Sequence, residues 1–136
     1  MGPVNWLAVV VAVFAALAVS AAWYGPLFGR ARLEVVGPGG LGIRRSPWRT
    51  TAITAALLFV SATMMGHMFA RVGPDTLAVK WWLYFMMSGG LAIAFVIPSL
   101  WISYTQQRIS TRLALIDGGF WIFAYLAMGL AFYLLG

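Results

Sequence analysis

A chain of 136 residues has room for one domain, and 62% of this one is hydrophobic while 9% is charged. Soluble domains carry roughly 45–50% and 25%, and so few charges cannot cover so much apolar surface in water, which excludes a soluble globule and makes lipid the solvent. Nine Lys and Arg against three Asp and Glu give a formal charge of +6. The arginines cluster in short segments between apolar runs, not along a basic stripe with exposed aromatics, so they point to anionic headgroups and not to nucleic acid. With no cysteine, disulfides, thiolate metal sites and cysteine nucleophiles are excluded.

The N-terminus Met1-Gly2-Pro3-Val4-Asn5 lacks a basic region, and the apolar run behind it ends in Trp23-Tyr24-Gly25-Pro26 instead of a small-residue cleavage site. It is expected to be a retained first span, residues 4–24, about the 20 residues that a 30 Å hydrocarbon core requires. Ala8, Ala12, Ala16 and Ser20 recur at every fourth position, a spacing that lets another helix approach closely. Trp6 and the pair Trp23-Tyr24 suit the two interfaces, and Gly25-Pro26 is expected to end the helix. The segment 27–47 then carries Arg30, Arg32, Glu34, Arg44 and Arg45 around Gly37-Pro38-Gly39-Gly40-Leu41-Gly42. That centre matches G-x-G-x-x-G but has no βαβ unit to sit in, so it is expected to be a flexible basic loop.

A second span is expected over 48–70. Met64, His67 and Met68 share one of its faces and have the chemistry of a soft-metal site, but methionine is a common packing filler and no metal is expected. After a tight loop at 71–76, a third span is expected over 77–101. It opens with Lys80, which snorkels to the headgroups, and with Trp81 and Trp82; it holds Ser88-Gly89-Gly90 and reaches Pro98. Tyr104, Gln106, Gln107 and Arg108 lie in the third loop, and Arg112 opens a fourth span over 112–135. The whole is an all-α, four-helix transmembrane bundle in one domain, residues 1–136.

Seven of the nine basic residues, Arg30, Arg32, Arg44, Arg45, Arg49, Arg108 and Arg112, fall on loops one and three and their flanks. They are the candidates for anionic-lipid contact. The positive-inside rule places these loops in the cytoplasm and both termini outside. Trp23…Arg30 and Trp101…Arg108 are equally spaced, as a duplicated two-helix hairpin would have them.

Asp117 is the one acidic residue that a span encloses. A carboxylate at mid-membrane costs about 2.5–3.5 kcal/mol on insertion scales, and less near the interface. It therefore needs a partner, for which Arg49, Arg112 and Tyr24 are candidates. It is read either as a buried contact that locks the bundle or as a proton or cation site. The second reading requires Asp117, Ser88, Ser61 and Thr63 to line one wetted cavity. Close packing is assigned to Ala8, Ala12, Ala16, Ser20, Gly89, Gly90, Gly118 and Gly119. No enzyme constellation is visible, because the one histidine, His67, and Asp117 are expected at opposite membrane faces.

These residues resemble the DUF1761 family of small bacterial membrane proteins. The resemblance rests on Asn5-Trp6, on Trp23-Tyr24-Gly25-Pro26-Leu27-Phe28-Gly29, on Ala94-Phe95-Val96-Ile97-Pro98-Ser99, and on Leu115-Ile116-Asp117-Gly118-Gly119-Phe120 with Met128-Gly129. Where such proteins commonly carry an acidic segment in the last loop, this chain has Gln106-Gln107-Arg108. The resemblance implies the four-helix fold and assigns no activity. The expectation is a non-catalytic inner-membrane protein without cofactor, a structural or accessory subunit assembling with itself or with a larger complex. The alternative is a channel or transporter for a small solute or ion that uses Asp117.

Overall fold

A computed structural model describes residues 4–37 and 46–135. The described residues are almost wholly helical: α1 (Trp6–Leu27), α2 (Gly29–Val36), α3 (Pro47–Val72), α4 (Pro74–Val79), α5 (Leu83–Gln106) and α6 (Thr111–Leu135). Of these, α1, α3, α5 and α6 are long and apolar enough to cross a membrane. The all-α, four-span architecture expected from the sequence is the one observed.

Three boundaries differ from expectation, and a proline lies near each. Pro26 does not end the first span. The helix widens into a π turn over Trp23–Leu27, and the Phe28 N–H donates to the Trp23 carbonyl at 2.7 Å. One extra residue in the turn lets the chain pass a residue that has no N–H and whose ring would crowd the preceding turn. A second π turn, Ala92–Val96, lies just ahead of Pro98, with the Ile97 N–H donating to Ala92. The third span begins at Leu83 rather than 77. Pro74 opens a separate short helix, α4, and at Lys80 the backbone leaves helical geometry (φ −112°, ψ 63°) before Trp81 and Trp82 turn the chain into α5. The exposed Lys80-Trp81-Trp82 group suits an interface better than a bilayer interior. At its far end α5 continues to Gln106, so Tyr104 belongs to a helix and not to a loop.

Part of the expected basic loop is also helical. After Phe28 the chain forms α2, which stops at Gly37 in a left-handed conformation (φ 84°) with its N–H on the Leu33 carbonyl. Gly29 permits the tight junction between α1 and α2, since a Cβ there would stand 2.5 Å from the Tyr24 carbonyl oxygen. The remainder of that loop, residues 38–45 with Arg44, Arg45 and most of the glycine-rich motif, lies outside the described residues.

The central pair is α1 and α6; α3 packs on α1, and α5 packs on α6. Ala8, Ala12 and Ala16 are fully buried on α1, where small side chains let the neighbouring helices close in. Asn5 joins the two central helices at one end: its Oδ1 accepts from the Ala8 N–H at 3.1 Å and its Nδ2 donates to the Leu135 carbonyl at 2.7 Å. At that same end α3 and α5 meet through Phe69 and Tyr84 (ring centroids 4.9 Å apart), with Phe132 against Phe69. Towards the other end α3 and α5 diverge.

α5 and α6 approach closely at Gly129, where a Cβ would meet Ser88 Oγ and lie 2.8 Å from the Tyr84 carbonyl oxygen. Because that obstacle is backbone, Gly129→Ala should push the helices apart and cost about 1–3 kcal/mol. Gly118→Ala, whose Cβ would have its nearest neighbour at 3.8 Å, should stay within about 0.5 kcal/mol of wild type. Reversible unfolding in mixed micelles measures both, and equal midpoints for the two variants would contradict this packing.

Candidate functional site

The divergence of α3 from α5 leaves a cavity of about 870 Å³ at the end of the bundle that carries loops one and three. Its walls come from every span and from α2: Ser20, Tyr24, Gly25, Gly29, Arg32, Leu33, Thr50, Thr54, Leu100, Tyr104, Asp117, Phe120 and Trp121. Asp117 is 7% exposed and sits six residues into α6, roughly 9 Å from the first residue at 1.5 Å per residue. It is beyond the first turn, where the helix dipole would help an anion. Its stabilisation comes from other helices instead.

Tyr24, delivered by the π turn of α1, donates its hydroxyl to Asp117 Oδ1 at 2.6 Å. Tyr104, near the end of α5, donates to Oδ2 in a short hydrogen bond. One carboxylate thus joins three spans. Hydrogen bonds to a charged group contribute about 1.5–3 kcal/mol each in general, and less on average inside membranes, so two of them are of the size needed to offset the insertion cost. The neighbouring residues hold the clasp in place. The indole of Trp23 donates to the Ile116 carbonyl at 3.0 Å and lies over Gly119, where a Cβ would stand 2.9 Å from the ring. Phe120 packs on the Tyr24 ring at 5.2 Å.

Arg32 completes the polar end. It projects from α2 with its guanidinium carbon 5.8 Å from the centroid of the Tyr24 ring. Deeper in, the hydroxyl of Tyr125 reaches from α6 to Ser61 Oγ on α3 at 3.3 Å. Beyond that contact, Phe69, Tyr84 and Phe132 fill the space between the helices.

Most of the polar residues proposed from the sequence as partners of Asp117 lie elsewhere. Ser88 is 0% exposed, and its hydroxyl donates to the Tyr84 carbonyl of its own helix at 2.7 Å beside Gly129. Ser61 accepts from Tyr125 and is not part of the cavity wall, and Thr63 Oγ1 is buried with no hydrogen-bond partner. They are not brought together with Asp117 because helical turns aim them at other neighbours. Ser20 lines the cavity instead of continuing the alanine ridge. Gly89 packs under Leu126, while Gly90 is exposed with nothing within 4 Å of where a Cβ would be.

Of the candidate partners, Tyr24 reaches Asp117. Arg112 pairs instead with Glu34 at 3.2 Å, both side chains more than half exposed, and Arg49 lies over its neighbour Trp48. Arg30, Arg49, Arg108 and Arg112 are all exposed at the same end as the cavity. His67 stands edge-on to Trp6 at the far end, with Met64 exposed nearby.

The family model for DUF1761, a protein family of unknown function, matches residues 7–133. The chain belongs to the DUF1761 family. No curated protein and no solved structure matches it. Membership in DUF1761 carries no assigned chemistry, so the clasp has to be read from its geometry. Tyr104 and Arg32 are the members of this DUF1761 site that sequence reasoning placed in loops. The available signal was the spacing of Tyr104 after Trp101 on a helical face, obscured by the expectation that Pro98 lay close to the end of a span.

Tyr24→Phe and Tyr104→Phe each remove one donor from Asp117 and should each cost about 1 kcal/mol. The double variant should cost more than the sum, since the first loss leaves the second tyrosine as the remaining donor. A double-mutant cycle on the unfolding free energy measures this, and simple additivity would show the two hydroxyls acting independently.

Proposed function

We propose that this protein is a non-catalytic integral membrane protein that holds a small polar solute in the cavity around Asp117, as the binding step of a carrier or channel. The observation that carries this reading is the empty volume beside the carboxylate. A contact serving only to lock helices needs no space next to it, and a cleft with a few convergent polar groups is the usual form of a ligand site. Among the described residues of the cavity wall no histidine stands beside a hydroxyl. Thr54 donates its hydroxyl to its own helix at 2.8 Å, Thr50 does so at 3.3 Å, and His67 lies at the other end of the bundle.

A second reading, assembly as an accessory subunit or homo-oligomer, is favoured by a separate observation. Gly90 and Ala94, one turn apart on α5, are both exposed, and small residues at that spacing admit a second helix. In either case the exposed arginines at the cavity end support a bacterial inner-membrane protein whose cavity faces the cytoplasm and whose termini lie outside.

Native mass spectrometry of the full chain from mild detergent tests these readings. The solute reading expects a retained small-molecule mass in wild type that drops at least about tenfold in Asp117→Asn, about 1.4 kcal/mol; a wild-type protein that retains nothing, or an unchanged mass in the variant, counts against it. Assembly expects a multimer or foreign subunits that Gly90→Leu disperses, and a strictly monomeric protein counts against that. For orientation, a periplasm-active reporter joined to the C-terminus should be active, and a cytoplasm-active one silent.

A further inference from the structure

The chemistry of the ligand is indicated by what adjoins the cavity. A groove of about 430 Å³ runs along α5, lined by Phe95, Val96, Ser99, Leu100, Ser103 and Trp121. Leu100 and Trp121 also line the Asp117 cavity, so that pair borders both spaces. The groove is largely apolar. Its Ser99 hydroxyl is satisfied within α5, donating to the Phe95 carbonyl at 2.7 Å. From Tyr104 to Phe95 is nine residues, about 13 Å at 1.5 Å per residue, which leads from the polar end of the bundle towards the hydrocarbon interior.

The polar end carries two opposite charges that do not neutralise each other. Arg32 lies over the ring of Tyr24, and Asp117 accepts from the hydroxyl of the same tyrosine. The guanidinium meets the face of the phenol ring and the carboxylate meets its hydroxyl, while Arg112 pairs with Glu34. Each oxygen of Asp117 has given one acceptor site to a tyrosine, and about two of its four lone-pair sites remain. The guanidinium of Arg32 retains donors in the fork geometry that suits phosphate. A simple cation would leave the donors of Arg32 unused, and an anionic headgroup would leave the remaining acceptor sites of Asp117 unused. A zwitterion of ammonium and phosphate matches both.

We propose that the cavity takes the headgroup of an ethanolamine phospholipid, its ammonium on Asp117 and its phosphate on Arg32, with one acyl chain passing Leu100 and Trp121 into the α5 groove. This rests on the solute-binding reading above and specifies its ligand. The position of Asp117, roughly 9 Å along α6, suits a headgroup drawn slightly below the interface.

The test is native mass spectrometry of the full chain released from vesicles of equal parts dioleoyl phosphatidylethanolamine and dioleoyl phosphatidylglycerol. Retention of the ethanolamine lipid should exceed that of the glycerol lipid by about tenfold, about 1.4 kcal/mol. Arg32→Gln, on the peripheral helix α2, should lower the retention of both lipids, which share the phosphate, while Asp117→Asn should remove the preference for the ethanolamine lipid. Leu100→Trp should block the junction and abolish lipid retention while soluble phosphoethanolamine still binds. Equal retention of both lipids by wild type, or retention unchanged in Arg32→Gln and Leu100→Trp, overturns the lipid assignment. If wild type binds soluble phosphoethanolamine but not the lipid, or retains a mass that is neither, the lipid assignment fails and the solute-binding reading stands. If it binds neither probe and retains no other small molecule, both fail.

Discussion

Two tyrosine hydroxyls on one carboxylate organise the end of this bundle where the helices would otherwise part. At the opposite end, α3 and α5 are held by aromatic packing among Phe69, Tyr84 and Phe132, an interaction that needs no direction and tolerates lipid as a neighbour. At the cavity end that apolar contact is missing, and α1, α5 and α6 converge on Asp117 instead. A polar group in hydrocarbon exacts its cost unless it is hydrogen-bonded. That cost makes the clasp directional, because the three spans must keep the register that brings Tyr24 and Tyr104 to Asp117.

That register depends on two departures from ideal helix. Had α1 stopped at Gly25-Pro26, the chain would have left the bundle at Tyr24 with nothing to fix the direction of its ring. The π turn carries the helix past Pro26 and lets α2 fold back so that Arg32 lies over the same ring. In α5 a π turn precedes Pro98 and the helix continues for two more turns, which supplies Tyr104. π turns recur at functional sites because an inserted residue re-aims side chains without breaking the helix. Here both serve the same carboxylate. The two turns do not fall at equivalent distances from Trp23 and Trp101, so they give no support to a duplicated hairpin.

The glycines show how far composition can mislead about packing. Four of those within the spans sit in pairs, Gly89-Gly90 and Gly118-Gly119, and adjacent helical positions point about 100° apart. One member of each pair meets a neighbour and the other does not: Gly89 meets Leu126 and Gly119 meets Trp23, while Gly90 faces outward and Gly118 has ordinary room. Gly129, which lacks a glycine neighbour, makes the tightest helix contact of the set.

Much about this protein was legible from sequence alone, for a single reason: apolar runs of about 20 residues in a chain with so few charges have one stable solution in lipid, the hydrogen-bonded helix. Four spans, the alanine face of α1, the gathering of arginines at one end and the cost carried by Asp117 all follow from that. The partners of Asp117 did not follow. Which side chains meet is decided by how helices rotate against one another, and that rotation is set here by π turns, by Gly29 and by the close contact at Gly129, each a tertiary outcome that hydropathy does not record. Ser61, Thr63 and Ser88 are as polar as Tyr104 and sit on equally apolar helices, yet Tyr104 is the one turned towards the carboxylate. Only the packed structure decided that, and with it the cavity.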